Sequence, residues 1–220
     1  SPEGTITLEF PHLQELMANN QFDTVYHEHY SYLSLDAVSR IFQAAGLRVY
    51  DVDQIPTHGG SLRIYGCLAA AAHKTTENVM RVLQGEQDAG LQNLDTYLQF
   101  QSRADKAKHD LLAFLVENKK AGRRVVAYGA AAKGNTLLNY AGVRPDLLEA
   151  VYDAAPSKQN KFLPGSHIPI FPPDQLGKAA PDFILILPWN IAPEVTQQLR
   201  AAGHADARFV VAIPQLTVLE

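Results

Sequence analysis

The 220-residue sequence has one cysteine, Cys67, so it carries neither a disulfide framework nor a cysteine-ligated zinc site. It also lacks any apolar run as long as a membrane span. Its net charge of −4 leaves no basic surplus for binding a phosphate backbone. These absences predict a cytoplasmic protein that has no nucleic-acid partner and no membrane partner.

Residues 26–30, Tyr-His-Glu-His-Tyr, place two imidazoles, one carboxylate and two phenols within five positions. Histidine has the side chain whose ordinary pKa lies nearest neutrality, which suits it to general acid or base catalysis. A neighbouring carboxylate can orient an imidazole, and a tyrosine hydroxyl can donate to an oxyanion. The segment is therefore either a catalytic cluster or a loop whose aromatic residues pack against the body of the protein.

Apolar periodicity and turn residues predict three strands and two helices in the first third of the chain. Ser34 is a suitable N-cap for the second helix, and Gly46 a suitable stop after it. The second and third strands flank a turn at residues 56–60 and should pair as an antiparallel hairpin. The expected strands span 5–10, 47–55 and 61–68, and the expected helices span 11–20 and 35–45.

The rest of the chain changes character twice. Residues 75–120 lack proline and show helical spacing, which predicts one long connecting helix or two, with breaks at Gly85 or Gly90. After that, strands alternate with helices, which indicates a parallel sheet of the α/β class. Its expected strands span 125–128, 149–153, 182–187 and 208–212, and its expected helices span 135–140 and 191–202.

A glycine-containing turn follows the first of these strands. Tyr128, Gly129, Lys133, Gly134 and Asn135 lie where a Rossmann-type sheet places its phosphate-binding turn. Asp153 ends the next strand, where such folds place a ribose-binding acid. Neither a Gly-x-Gly-x-x-Gly motif nor a Walker motif is present, which disfavours an NAD site. The turn either binds a ligand or needs its glycines for packing.

Two further stretches follow strand ends, where open α/β sheets bind ligands. Residues 153–170 form a polar loop interrupted by prolines, in which Lys158 is a candidate phosphate ligand or a mobile surface lysine. Trp189 either stacks on a base or sugar or covers a helix end.

Four stretches in this order resemble the C-terminal part of the S-adenosylmethionine-dependent sugar C-methyltransferases. They are residues 9–11 together with 20–29, then 56–63, 128–136 and 153–169. The resemblance implies a Rossmann-like domain over 121–220 and a connecting helix over 75–120. It also implies that residues 1–74 are the last strands and helices of a class I methyltransferase sheet. The family's cysteine-ligated zinc domain and its S-adenosylmethionine loop have no counterpart here, so a fragment that is inactive alone is expected.

By this resemblance, His29 is the base that removes a proton beside the ketone of a nucleotide-linked keto-deoxysugar, with a dTDP-type nucleotide favoured. Tyr26 and Glu28 then position the sugar or stabilise the enolate. His27 is the weaker candidate base and, in an extended segment, would share a face with His29. No metal ligand is expected within the sequence. The other expected substrate contacts are His58, Gly59, Tyr128, Gly129, Lys133, Gly134, Asn135, Asp153, Lys158 and Trp189.

Two other functions remain open. The chain can be a non-catalytic module that binds nucleotide sugars, because a fold does not fix a function. An NAD-dependent oxidoreductase is a third alternative, which the missing dinucleotide motif disfavours.

Overall fold

The computed structural model describes residues 1–219, which form two compact units. The first unit contains residues 1–21 and 28–101. The second contains residues 22–27 and the chain from Ser102 onward. The second unit is therefore built from two separate stretches of sequence, and the shorter one carries part of the Tyr26–Tyr30 segment.

A three-stranded antiparallel sheet forms the centre of the first unit, in the order β1-β3-β2. The hairpin predicted between the second and third strands is confirmed, and its register runs from Leu47 opposite Leu68 to Ile55 opposite Ser61. The strands are β1 (Ile6–Pro11), β2 (Leu47–Ile55) and β3 (Ser61–Leu68), and the helices are α1 (Leu13–Ala18), α2 (Leu35–Ala44) and α3 (Glu77–Asp88).

Helix α2 forms as the sequence predicts. The Ser34 side chain accepts a hydrogen bond from the Ala37 N–H at 3.1 Å, which caps the first turn. The apolar face of the helix packs on the sheet with Phe42, and Gly66 lies beneath that ring. A Cβ atom at Gly66 would lie 2.2 Å from the Phe42 ring, so glycine is required for this approach.

The predicted connector is two helices, α3 and α4 (Leu94–Lys120). The break falls around Gly90, which has a φ of +74° that glycine adopts without strain. Gly85 was the other predicted break, and that prediction is wrong because Gly85 lies inside α3. The boundary between the two units falls within α4.

The second unit contains a seven-stranded sheet in the order β10-β9-β8-β4-β5-β7-β6. Its strands are β4 (Val125–Tyr128), β5 (Val151–Tyr152), β6 (Lys161–Phe162), β7 (Pro169–Phe171), β8 (Phe183–Ile186), β9 (Arg208–Val211) and β10 (Thr217–Leu219). The helices after α4 are α5 (Ala132–Ala141), α6 (Leu176–Ala179) and α7 (Ala192–Ala201).

Five neighbouring strands of this sheet are parallel, and the two edge strands β6 and β10 are antiparallel to them. In chain order the parallel strands are β4, β5, β7, β8 and β9, so their order across the sheet is 3-2-1-4-5. This is the order of a Rossmann fold, and the predicted α/β class is confirmed.

Three strands of the sheet were not predicted. Strand β6 and the first two residues of β7 lie in the stretch expected to be a loop, and β10 follows the last expected strand. Helix α5 begins at Ala132, three residues before the expected start. Among residues 1–219, no helix is both long and apolar enough to cross a membrane.

Candidate functional site

The strand order of the second unit changes direction at β4. The chain leaves β4 toward β5 on one side and later returns to β8 on the other. In open α/β sheets, ligands bind outside the carboxyl ends of the strands at this switch point. The carboxyl ends of β4 and β8 lead directly to the Gly129 turn and to Trp189. These residues are therefore the candidate site of the second unit.

The turn between β4 and α5 is tightly packed. Gly129 has a φ of +86°, and its N–H donates to the Tyr152 carbonyl at 2.7 Å. A Cβ atom would lie 2.5 Å from Pro188 Cδ at Gly129 and 2.5 Å from Leu187 Cβ at Gly134. Both glycines thus have a packing role, and a ligand role for either stays a prediction.

Asp153 closes this turn with its carboxylate. Asp153 is 7% exposed, and its Oδ2 accepts from the Ala130 N–H at 2.6 Å. Its Oδ1 accepts from the Ala155 N–H at 2.7 Å, and Lys158 Nζ lies 3.5 Å from Oδ2. Lys158 also donates to the Ala130 carbonyl at 2.9 Å. Asp153 and Lys158 therefore hold the loops around the turn together.

A second polar cluster, which we call the Asp23 cluster, lies beside α5. It consists of Asp23, Lys133, Trp189 and Asn190. The Trp189 indole N–H donates to Asp23 Oδ2 at 2.7 Å. Lys133 donates to Asn190 Oδ1 at 2.7 Å, and its ammonium lies 4.3 Å from the centroid of the Trp189 ring. The indole thus bonds a carboxylate at its edge and contacts a cation on its face.

Two members of the cluster are buried ionisable groups. Asp23 is fully buried and Lys133 is 8% exposed. Burial raises the pKa of Asp23 to about 7, against the lowering effects of the Trp189 hydrogen bond, Lys133 and a backbone hydrogen bond. Burial lowers the pKa of Lys133, and Asp23 offsets part of that change. Buried groups with shifted pKa values in a cleft are typical of functional sites.

Tyr128 and Asn135 border the same turn. Tyr128 is half-buried at the end of β4, where burial and the Asp153 carboxylate raise the pKa of its hydroxyl. Asn135 lies in the first turn of α5 and is half-buried, and its backbone carbonyl and side-chain oxygen both accept from Asn139 Nδ2. The structure thus brings Tyr128, Gly129, Lys133, Gly134, Asp153 and Trp189 to one end of the second sheet.

The Tyr26–Tyr30 segment is a bend and a turn. Residues 27 and 28 form the turn, so the extended conformation under which His27 and His29 would share a face is not adopted. Tyr26 is half-buried in the second unit. In the first unit His29 is half-buried and Glu28 is exposed. The catalytic roles of the three residues stay predictions.

His58 and Gly59 lie in a short 3-10 turn of the first unit. His58 is exposed and adopts a φ of +57°, which is uncommon for a residue with a Cβ atom. The Gly59 carbonyl accepts from the Gln21 side-chain amide at 2.8 Å. This bond ties the turn to the chain just before the Tyr26–Tyr30 segment, and the substrate role of both residues stays a prediction.

Asp23 is the site residue that sequence reasoning missed. It lies in the segment that resembles the family, yet an aspartate before a turn is ordinarily exposed. Its burial depends on Trp189, which is 166 positions away. Among residues 1–219, no group of three or more His, Cys, Asp or Glu side chains is placed to hold a metal ion.

Comparison with known proteins agrees with this architecture. Residues 56–214 match the family model of the C-methyltransferase C-terminal domain, and the chain belongs to that family. The chain is also similar to the C-methyltransferase NovU of Streptomyces niveus, with 37% identity over 219 residues. The match covers 100% of this chain and 52% of NovU, so the chain spans about half the length of that curated relative.

Proposed function

We propose that this chain supplies the substrate side of an S-adenosylmethionine-dependent C-methyltransferase. Its substrate would be a nucleotide-linked keto-deoxysugar, methylated at a carbon next to the ketone. The similarity to NovU extends across the full chain and supports a C-methyltransferase activity. Residues 26–30 supply the acid–base groups that carbon methylation requires, because such a carbon becomes nucleophilic only after it loses a proton.

We assign removal of this proton to His29. An imidazole nitrogen of His29 would accept it from the carbon beside the ketone, which leaves an enolate. Tyr26 and Glu28 would position the sugar, and the Tyr26 hydroxyl would donate to the enolate oxygen. The enolate carbon is then the nucleophile, and holding it in place would supply much of the rate.

S-adenosylmethionine supplies the methyl group in such a reaction. Binding it in a Rossmann-type turn requires a glycine-rich loop and a free acid at the end of the next strand. In the β4–α5 turn both glycines pack against side chains, and the Asp153 oxygens accept two backbone N–H groups. The described turn does not fit the donor, so we assign the donor no residue in this chain. The same bonds at Asp153 disfavour the NAD-dependent alternative.

The nucleotide is assigned to the carboxyl ends of β4 and β8. The observation that carries this assignment is Lys133, a buried cation at the start of α5 on the switch point of the sheet. A diphosphate there would meet a lysine together with the free N–H groups of a helix N-terminus. A dTDP-type nucleotide is favoured, and Trp189 offers an aromatic surface nearby.

Calorimetric titration of this chain with dTDP, S-adenosylhomocysteine and NAD tests the assignment. We expect dTDP alone to bind. Lys133→Met should weaken that binding by about tenfold or more, because a charge-assisted hydrogen bond contributes roughly 1.5–3 kcal/mol. The matched control is Lys178→Met, which removes an exposed lysine from α6.

Three results would overturn the assignment. They are binding of S-adenosylhomocysteine or NAD in place of dTDP, equal weakening by both lysine variants, and no binding of dTDP to the wild-type chain. If dTDP binds but a protein that also holds the methyl donor shows no transfer to a nucleotide sugar, the chain is a binding module instead.

A further inference from the structure

We propose that Asp23 is a positioning residue: its contact with Trp189 anchors residues 22–27 on the second unit and thereby fixes Tyr26. The inference rests on the proposed function, because Tyr26 matters only if it faces the sugar. Asp23 itself is assigned no contact with substrate.

The anchor begins with a buried bond between two distant parts of the sequence. Asp23 is fully buried, and its Oδ2 lies 2.7 Å from the Trp189 indole nitrogen. Within residues 1–219, Asp23 Oδ1 is buried and has no hydrogen-bond partner. The indole bond ties this buried carboxyl group to a distant part of the chain, so loss of that bond should loosen the turn.

The residues around Asp23 transmit its position to Tyr26. Residues 22–24 form one turn of 3-10 helix. The Val25 N–H donates to the Phe22 carbonyl at 3.0 Å, and the Tyr26 N–H donates to the Thr24 carbonyl at 3.1 Å. These bonds make residues 22–26 a single compact turn. Fixing Asp23 therefore also fixes the backbone of Tyr26.

A second contact holds the same turn on α5. The Phe22 ring meets the Tyr140 ring edge-on, with centroids 5.2 Å apart. The Tyr140 hydroxyl donates to Asp105 on α4, and Lys108 lies 5.1 Å from the centroid of the Tyr140 ring. The apolar contact persists without Asp23, so the turn should loosen in an Asp23 variant while the second unit stays folded.

The anchor depends on protonation. Lys133 on α5 is the charged group that acts on the Asp23 carboxyl, and Tyr140 on α5 contacts the neighbouring Phe22 ring. Tyr26 and His27 are the titratable side chains that follow Asp23 within residues 22–27. Since burial raises the pKa of Asp23 from 3.8 to about 7, the docked segment favours the protonated carboxyl. Docking is therefore strongest below pH 3.8, weakens as pH rises through about 7, and is constant above that.

Trp189 reports on this anchor directly, because it is the only tryptophan in the 220-residue chain. We expect the tryptophan fluorescence of the chain to titrate with a midpoint at about pH 7. Asp23→Asn keeps an oxygen for the indole N–H and should abolish the titration. The control His27→Gln should leave it unchanged, since it removes the one imidazole within residues 22–27.

Hydrogen exchange measures the positioning itself. In Asp23→Ala, the amides of Val25 and Tyr26 should exchange about tenfold faster or more than in the wild type, while the amides of α7 keep their protection. In the wild type, after correction for the intrinsic pH effect, these two amides should lose protection as pH rises from about 4 to about 7. The Asp23→Asn variant should not show that change.

The anchor would be refuted if Asp23→Asn retained the fluorescence titration, or if Asp23→Ala left exchange at Val25 and Tyr26 unchanged. Neither readout requires a substrate. Failure of dTDP to bind while both readouts hold would overturn the proposed function and leave the anchor intact. Binding of dTDP with both readouts negative would overturn the anchor alone.

Discussion

Each of the two units contains a fully or almost fully buried carboxylate, and the two differ in how many hydrogen bonds they accept. In the first unit, Glu86 Oε1 accepts from His12 Nε2 at 2.7 Å and from the Leu35 N–H at 2.5 Å. Its Oε2 accepts from the Asp36 N–H at 2.9 Å. In the second unit, Asp23 has the Trp189 indole on one oxygen, and its other oxygen has no hydrogen-bond partner within residues 1–219.

Because of this difference, Glu86 has a structural role, whereas Asp23 can change its protonation near neutral pH. Glu86 lies on α3, and its side chain accepts a hydrogen bond from a backbone N–H at the start of α2. It also bonds to His12, the residue just before α1. Three elements of the first unit depend on it. Asp23 has too few donors to stabilise its ionised form, so its burial raises its pKa to about 7. A buried carboxylate thus acts as a fixed tie when its oxygens are saturated and as a protonation site when they are not.

The largest expected effect is a loss of methyl transfer, and it should distinguish the candidate base His29 from the buried His12. His12 is buried against Glu86, whereas His29 is half-buried in the Tyr26–Tyr30 segment. If His29 is the base, His29→Ala should lower methyl transfer by roughly 10²–10⁴-fold in a protein that also holds the donor. Its unfolding midpoint in urea should match the wild type.

His27→Ala is the matched control for this experiment, since it removes a neighbouring imidazole that is exposed. It should retain turnover close to that of the wild type. If His27→Ala lost as much activity as His29→Ala, the assignment of the base to His29 would be wrong.

The next effect tests the saturated carboxylate. Glu86→Ala removes the acceptor for His12 Nε2 and for two N–H groups at the start of α2. Leaving a buried donor without its acceptor costs about 1–3 kcal/mol. Three donors lose theirs here, so the free energy of unfolding should fall by about 3 kcal/mol or more. Urea denaturation followed by circular dichroism would measure the loss.

Glu86→Gln keeps one acceptor oxygen and should recover part of this stability. If Glu86→Ala were as stable as the wild type, Glu86 would not stabilise the first unit and its contrast with Asp23 would be wrong.

The smallest effect concerns Asp23, where the substitution is expected to raise the free energy of unfolding instead of lowering it. The wild type loses stability as pH rises from about 4 to 7, because the unfolded Asp23 ionises first. Asp23→Asn removes that loss. The pKa difference corresponds to at most about 4 kcal/mol, and burial of the new amide offsets some of it.

We therefore expect Asp23→Asn to be roughly 1–3 kcal/mol more stable than the wild type at pH 8 and to show no gain at pH 4. Denaturation curves at both pH values measure the difference. A gain that is the same at pH 4 and pH 8 would show that ionisation of Asp23 is not its source.

The sequence was sufficient to predict those helices and strands whose limits depend on neighbouring residues. Ser34 and Gly46 bounded α2 correctly, because capping depends on neighbouring residues. The alternation of strands and helices after α4 gave the Rossmann-like sheet. Strands β6 and β7 were missed because two or three residues show no periodicity, and Pro169 begins β7.

The candidate site was predictable only in part. Gly129, Lys133 and Trp189 were placed correctly at the carboxyl ends of strands, because that position follows from the order of elements. The occupation of both Asp153 oxygens by backbone N–H groups was not visible in the sequence. Nor was the burial of Asp23, which depends on a contact between residues 166 positions apart.

The discontinuity of the second unit constrains how genes of this family can recombine. A crossover within the codons for α4 would transfer Lys133 and Trp189 from one parent and keep residues 22–27 from the other. Such a chimera would retain the Asp23 cluster only if both parents encoded matching partners. Residues 22–27 and the stretch that begins at Ser102 would therefore have to come from matching parents, although about 75 codons separate them.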